Sequence, residues 1–165
     1  AQVLINLLEQ LLELLGEPTI AEPDPLFNLL GITGNEQPPE DPVLRRLLPN
    51  AYEDENEASE FRRYTEPRLR HIKQGHLLFV RDALVKPVEG EAESAEIEIL
   101  EPQQWLIAIN DLRLAMATRL QINPSSFEKY ELMAENDPNK SLHAVYFWLG
   151  ALQDSLLSNI YPGAH

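Results

Sequence analysis

At 165 residues with an apolar fraction of 44%, the chain is long enough to bury a core without disulfides or a structural metal, and its length predicts one domain over 1–165. Only 7 Gly and no Cys argue against a turn-rich sandwich or barrel, and they exclude thiolate metal sites and thiol catalysis. The net charge of −14 disfavours binding to nucleic acid or anionic membrane, both polyanions.

In chain order, Leu4, Leu7, Leu8, Leu11, Leu12 and Leu15 mark a first amphipathic helix ended by Gly16 and Pro18. Its stripe reads as core; a dimer seam is the competing reading. This leucine-rich start carries Glu9 and Glu13 and no basic flank, so it is not a signal peptide. No apolar run is long enough to span a membrane, and a cytoplasmic protein is expected. The chain opens on Ala1 with neither Met nor a helix cap, which points to residues upstream.

Asp24-Pro25 predicts a short helix closed by Gly31, followed by a loop, Ile32 to Glu40. Asp41-Pro42 repeats the device, an N-cap followed by a first-turn proline, and starts a helix over Val43 to Leu48. Residues 54 to 64 form a helix with acid at its positive end. Thr65-Glu66-Pro67 then reads as a bend or break before a helix from Pro67 to Val85. The inner side of that helix is expected to hold Leu69, Ile72, His76, Phe79, Val80 and Ala83. An acidic loop occupies about 86–101, in which Ile97, Ile99 and Leu100 can extend briefly.

The helix from Pro102 to Leu120 is predicted to be central. Trp105, Ile109, Leu112, Met116 and Leu120 share one face, with Ile107 and Leu114 nearly opposite. Asn110 and Arg113 fall among apolar positions and are expected to be partly buried, whereas Asp111 lies on the wet arc. A long loop, 121–139, precedes a last helix from Ser141 to Ile160, with Leu142, Val145, Leu149, Leu152 and Leu156 repeating at 3 and 4. The fold class is all-α: a compact multi-helix bundle around the helix at 102–120.

Candidate sites are few. His71 and His76 are five apart, out of register for a shared metal, and His76 is expected to be a satisfied structural histidine. No metal site, cofactor motif or catalytic residue is predicted. Glu60 and Asp111 are expected as counter-ions for Arg62, Arg63 or Arg113. Together with Asn110 these six make a polar network tying the helix that ends at Tyr64 to the central helix. Nine of the 13 Lys and Arg lie between Arg45 and Lys86, and Arg68, Arg70 and Lys73 are the candidate outward contacts for a partner. Two rival readings follow from these residues. One is direct DNA binding by the basic 62–73 segment, and the other is a hydrolase using Asp111 or Glu60.

Several blocks carry a resemblance: Asp41 to Tyr52 (DPVLRRLLPNAY), Glu60 to Thr65 (EFRRYT), Trp105-Leu106, Ile109 to Leu114 (INDLRL), Thr118-Arg119-Leu120, and Trp148-Leu149 with Gln153. Their order resembles an actinobacterial family known as a domain of unknown function, also called the oxidative stress regulator AosR family. Its genes typically lie beside that of the ClpS adaptor. The resemblance implies a helical, cytoplasmic regulator that affects transcription through redox sensing and a sigma factor or other regulator as protein partner. It brings no catalytic residues. The absence of Cys is a departure, since a thiol–disulfide switch cannot operate within these residues.

Overall fold

The structure, a computed structural model, describes residues 1–16, 38–88 and 99–161. The helix expected after Asp24 and most of the acidic loop lie outside the described residues. All the regular structure described is helical, as expected for an all-α chain. The chain divides into two compact units, Ala1–Ile97 and Glu98–His165.

The first unit holds α1 (Gln2–Leu15), α2 (Pro42–Leu47) and α3 (Glu55–Val88). The leucine stripe of α1 is buried along Leu4, Ile5, Leu8, Leu11 and Leu15, and α1 packs along α3. The stripe is therefore used inside the chain, each buried aliphatic side chain contributing about 2 kcal/mol by its removal from water. Gly16 ends α1 at φ 33°, with its N–H on the Leu12 carbonyl at 3.1 Å; positive φ is where glycine has no Cβ penalty. At α2, Asp41 Oδ1 accepts the Val43 N–H at 2.7 Å, and Pro42 opens the first turn. Asp54 caps α3 in the same way, accepting from the N–H groups of Asn56 and Glu57 at 2.9 and 3.1 Å.

The main correction is α3 itself. The helix runs through Thr65-Glu66-Pro67 without a break, although Pro67 has no N–H to offer the Arg63 carbonyl four residues back. Thr65 Oγ1 donates instead to the Phe61 carbonyl at 2.8 Å, so Thr65 acts inside the helix and not as a new cap. The inner face also differs from expectation. Ala58, Arg62, Glu66, Arg70, Leu77, Val80 and Leu84 are the buried side chains of α3. They recur at steps of 3, 4 and 7, one face of a helix, whereas Ile72 is exposed.

In the second unit, α4 (Pro102–Leu120) packs along α6 (Lys140–Ile160), with the short α5 (Ser126–Leu132) beside α6. Trp105, Ala108, Ile109 and Leu112 form the fully buried apolar face of α4. Ile107, placed by periodicity on a second apolar side, is 41% exposed. Gln121 closes α4 in the left-handed conformation, φ 53°, and the Ile122 N–H reaches the Ala117 carbonyl at 2.9 Å. This is a Schellman-type stop without the usual glycine. The stretch expected as a loop over 121–139 contains α5, started by Asn123: its Oδ1 accepts the Ser125 N–H at 3.1 Å, and its own N–H donates to Ser126 Oγ at 2.9 Å. Phe127, Tyr130 and Phe147 pack their rings at 5.2 Å across α5 and α6. On α6, Leu149 and Leu156 are buried and Leu142 is exposed.

Two substitutions in α3 test this description. Gly75 lies in the helix, and a Cβ added there would meet nothing within 4 Å, so Gly75→Ala is expected to raise stability by about 1 kcal/mol through helix propensity alone. Leu77 is fully buried, and Leu77→Ala is expected to cost about 2–5 kcal/mol. Urea unfolding followed by circular dichroism measures both.

Candidate functional site

Glu66 is 4% exposed and sits one helical turn from an arginine on each side. The spacing of four places Arg62, Glu66 and Arg70 on one face of α3. Arg62 Nη1 donates to Glu66 Oε2 at 3.0 Å. Arg70 donates from Nε and Nη2 to Glu66 Oε1, at 3.0 and 2.7 Å. Each arginine then reaches out of the helix. Arg62 Nη2 donates to Asn50 Oδ1 in the connection after α2. Arg70 Nη1 donates to the Leu15 carbonyl, and Gln74 Nε2 reaches the Gly16 carbonyl at 3.4 Å. A cation placed on the last carbonyls of α1 satisfies groups that the helix leaves open and complements its dipole. Beside this cluster lies a cavity of about 20 Å³ lined by Asn50, Arg62, Thr65 and Glu66, room for about one water molecule.

This arrangement corrects several expectations. Arg70, expected to face outward, is buried in an ion pair. Arg62 pairs with Glu66, not with Glu60 or Asp111. Glu60 and Asn110 are exposed. Arg113 makes its contacts inside the second unit: Nη1 donates to Gln153 Oε1 at 2.5 Å, and the guanidinium lies 5.4 Å from the Tyr146 ring centroid. Gly150 lies against it, and a Cβ there would stand 3.5 Å from Nη2, an ordinary van der Waals contact. Asp111, expected on the wet arc, is 2% exposed. Arg63 and Lys73 are half-buried, and Arg68 is exposed. His76 is half-buried, and its Nδ1 has no hydrogen-bond partner among the described residues, so it is not the satisfied histidine expected. Glu66 was missed because the helix-cap reading of Thr65-Glu66-Pro67 hid the i±4 spacing that would have found it.

An open groove of about 440 Å³ in the first unit is lined by Tyr52, Glu57, Glu60, Phe61 and Tyr64. Tyr52 and Phe61 meet edge to face, 5.4 Å between centroids. Asp111, one of the two carboxylates on which a hydrolase was read, is out of reach of solvent. The other, Glu60, stands in this groove beside Glu57. Among the described residues no group of three His, Asp or Glu is placed to hold a metal, and no helix is long and apolar enough to cross a membrane.

Comparison with known proteins agrees with the family resemblance. The model of the family described as Domain of unknown function (DUF2017) matches residues 1–160. The chain belongs to this family. Relatives of the DUF2017 chain include proteins named Oxidative stress regulator AosR in Mycobacterium bovis and Mycobacterium tuberculosis. Each is 31% identical over 169 residues, which covers 95% of this chain and 76% of the relative. No solved structure matches. The blocks that carried the resemblance meet in space within each unit: Asn50 with Arg62, and Arg113 with Gln153.

Because Glu66 is the ion-pair partner of two buried guanidinium groups, Glu66→Ala is expected to lower stability by about 3–5 kcal/mol. Glu60→Ala, at an exposed position, is expected to stay within about 0.5 kcal/mol of the parent. Urea midpoints of the two variants make the comparison.

Proposed function

We propose that this chain is a non-enzymatic regulatory protein of the cytoplasm that acts by binding another protein in stress-linked transcription, with a sigma factor or another regulator as its partner. The observation that carries this reading is the similarity, across 95% of the chain, to proteins named as oxidative stress regulators. The chemistry of the first unit supports it. Its buried Arg62, Glu66 and Arg70 bond one another and hold segments of the unit together, and three aromatic side chains stand at its surface. Aromatic residues are favoured anchors of protein interfaces. Redox sensing by a thiol pair has no residues to work with here, since none of the 165 is Cys.

Direct DNA binding loses support from the structure. Of Arg68, Arg70 and Lys73, only Arg68 is exposed, and the net charge is −14.

Two measurements check the proposal. Purified chain mixed with the sigma factors and transcription regulators of its own organism is expected to form a stoichiometric complex with one of them and to change its output in transcription in vitro. Absence of any such complex overturns the reading. In a mobility-shift assay at about 50 mM salt, where phosphate contacts are strongest, no shift is expected; a shift with steep salt dependence would reinstate the DNA reading.

A further inference from the structure

The groove on α3 has a composition that its place in the fold does not explain. Glu57, Glu60, Phe61 and Tyr64 follow the i, i+3, i+4, i+7 spacing and so form one face of α3. Tyr52, from the connection before α3, closes the groove from the side against Phe61. The three rings are 47%, 42% and 60% exposed for Tyr52, Phe61 and Tyr64. Neither Glu57 nor Glu60 has an ion-pair partner among the described residues. Acid at a helix start is explained by the dipole. Phe61 and Tyr64 left exposed on the same face, with Tyr52 beside them, are not.

We propose that this groove takes an arginine side chain presented by a protein partner. Aromatic faces attract a cation through their quadrupole, and carboxylates accept the two parallel N–H bonds of a guanidinium. Arginine suits the pair better than lysine because its plane can stack on a ring while its edge bonds a carboxylate. The groove is open and broad, unlike the enclosed pockets that hold small ligands. Tyrosine and arginine are also the residues that most often anchor protein interfaces. The overall charge of −14 draws a basic partner and repels nucleic acid and anionic lipid. This assignment rests on the reading of the chain as a protein-binding regulator, and its test uses purified chain and a synthetic peptide. It therefore fails separately from the search for a transcription partner.

The experiment is calorimetric titration of the full chain with nona-arginine and nona-lysine at about 150 mM salt, where surface charges beyond a Debye length are screened. Nona-arginine is expected to bind more tightly than nona-lysine. Tyr64→Ala, which changes no charge, is expected to weaken nona-arginine by about fivefold. The double variant Glu57→Gln/Glu60→Gln is expected to weaken it by about tenfold. Glu128→Gln/Glu131→Gln on α5 alters net charge equally at exposed positions and is expected to change affinity less than about twofold. The proposal is overturned if nona-arginine does not bind, if Tyr64→Ala leaves affinity unchanged, or if the α5 control loses as much as the groove variant. Sedimentation velocity completes the test: a dimer dissolved by Tyr64→Ala would make a second copy of the chain the occupant and overturn the proposal, and a monomer throughout supports it.

Discussion

A carboxylate buried between two arginines is the constraint on which the first unit depends. Glu66 cannot be solvated where it sits, so it must be neutralised, and Arg62 and Arg70 are one turn away on each side. Two arginines around one carboxylate leave positive charge over. That surplus goes outward to neutral acceptors: the Asn50 side chain and the carbonyl that ends α1. The ion cluster thus joins three segments of the unit. It ties α3 to the end of α1 and to the connection that follows α2. Buried ion pairs add little net stability compared with apolar packing, but a cluster with this many directed bonds is demanding about register.

The second unit uses an arginine differently. Arg113 meets a neutral amide, Gln153, and the face of Tyr146. Gly150 of α6 lies beside the guanidinium. The amide and the ring hold the cation at the junction of α4 and α6. In both units the polar residues at the centre act as fasteners. The acidic, aromatic face of α3, by contrast, carries side chains that are left exposed.

The helices were legible where local chemistry sets them. Asp41-Pro42 starts α2, Gly16 stops α1, and the leucine stripe of α1 faces its neighbour as its spacing requires. The inner face of α3 was legible only in part. Reading apolar residues as buried selects Val80, which is buried, but also Leu69, Ile72 and Phe79, which are not. The true inner line runs from Ala58 through Arg62, Glu66 and Arg70 and is wholly apolar only from Leu77 on. A charged residue is placed inside by its partners, and partners are a tertiary fact. Pro67 misled for a related reason: its local cost to a helix is real, but packing along α1 and the ion cluster that spans it outweigh that cost.

The helix at 102–120 shows the division most clearly. Sequence alone determined its bounds, its all-helical setting and the family to which the chain belongs, because periodicity, turn residues and ordered motif blocks are local or linear properties. It also marked Asn110, Asp111 and Arg113 as residues out of keeping with their neighbours. Only the tertiary structure decided which of them go inside. Asp111 is buried, Asn110 is exposed, and Arg113 is held by Gln153 forty residues away. A helical wheel gives the angle of a side chain about its own axis. Which angles are covered depends on where the next helix lies, and that is set by packing between segments distant in the chain.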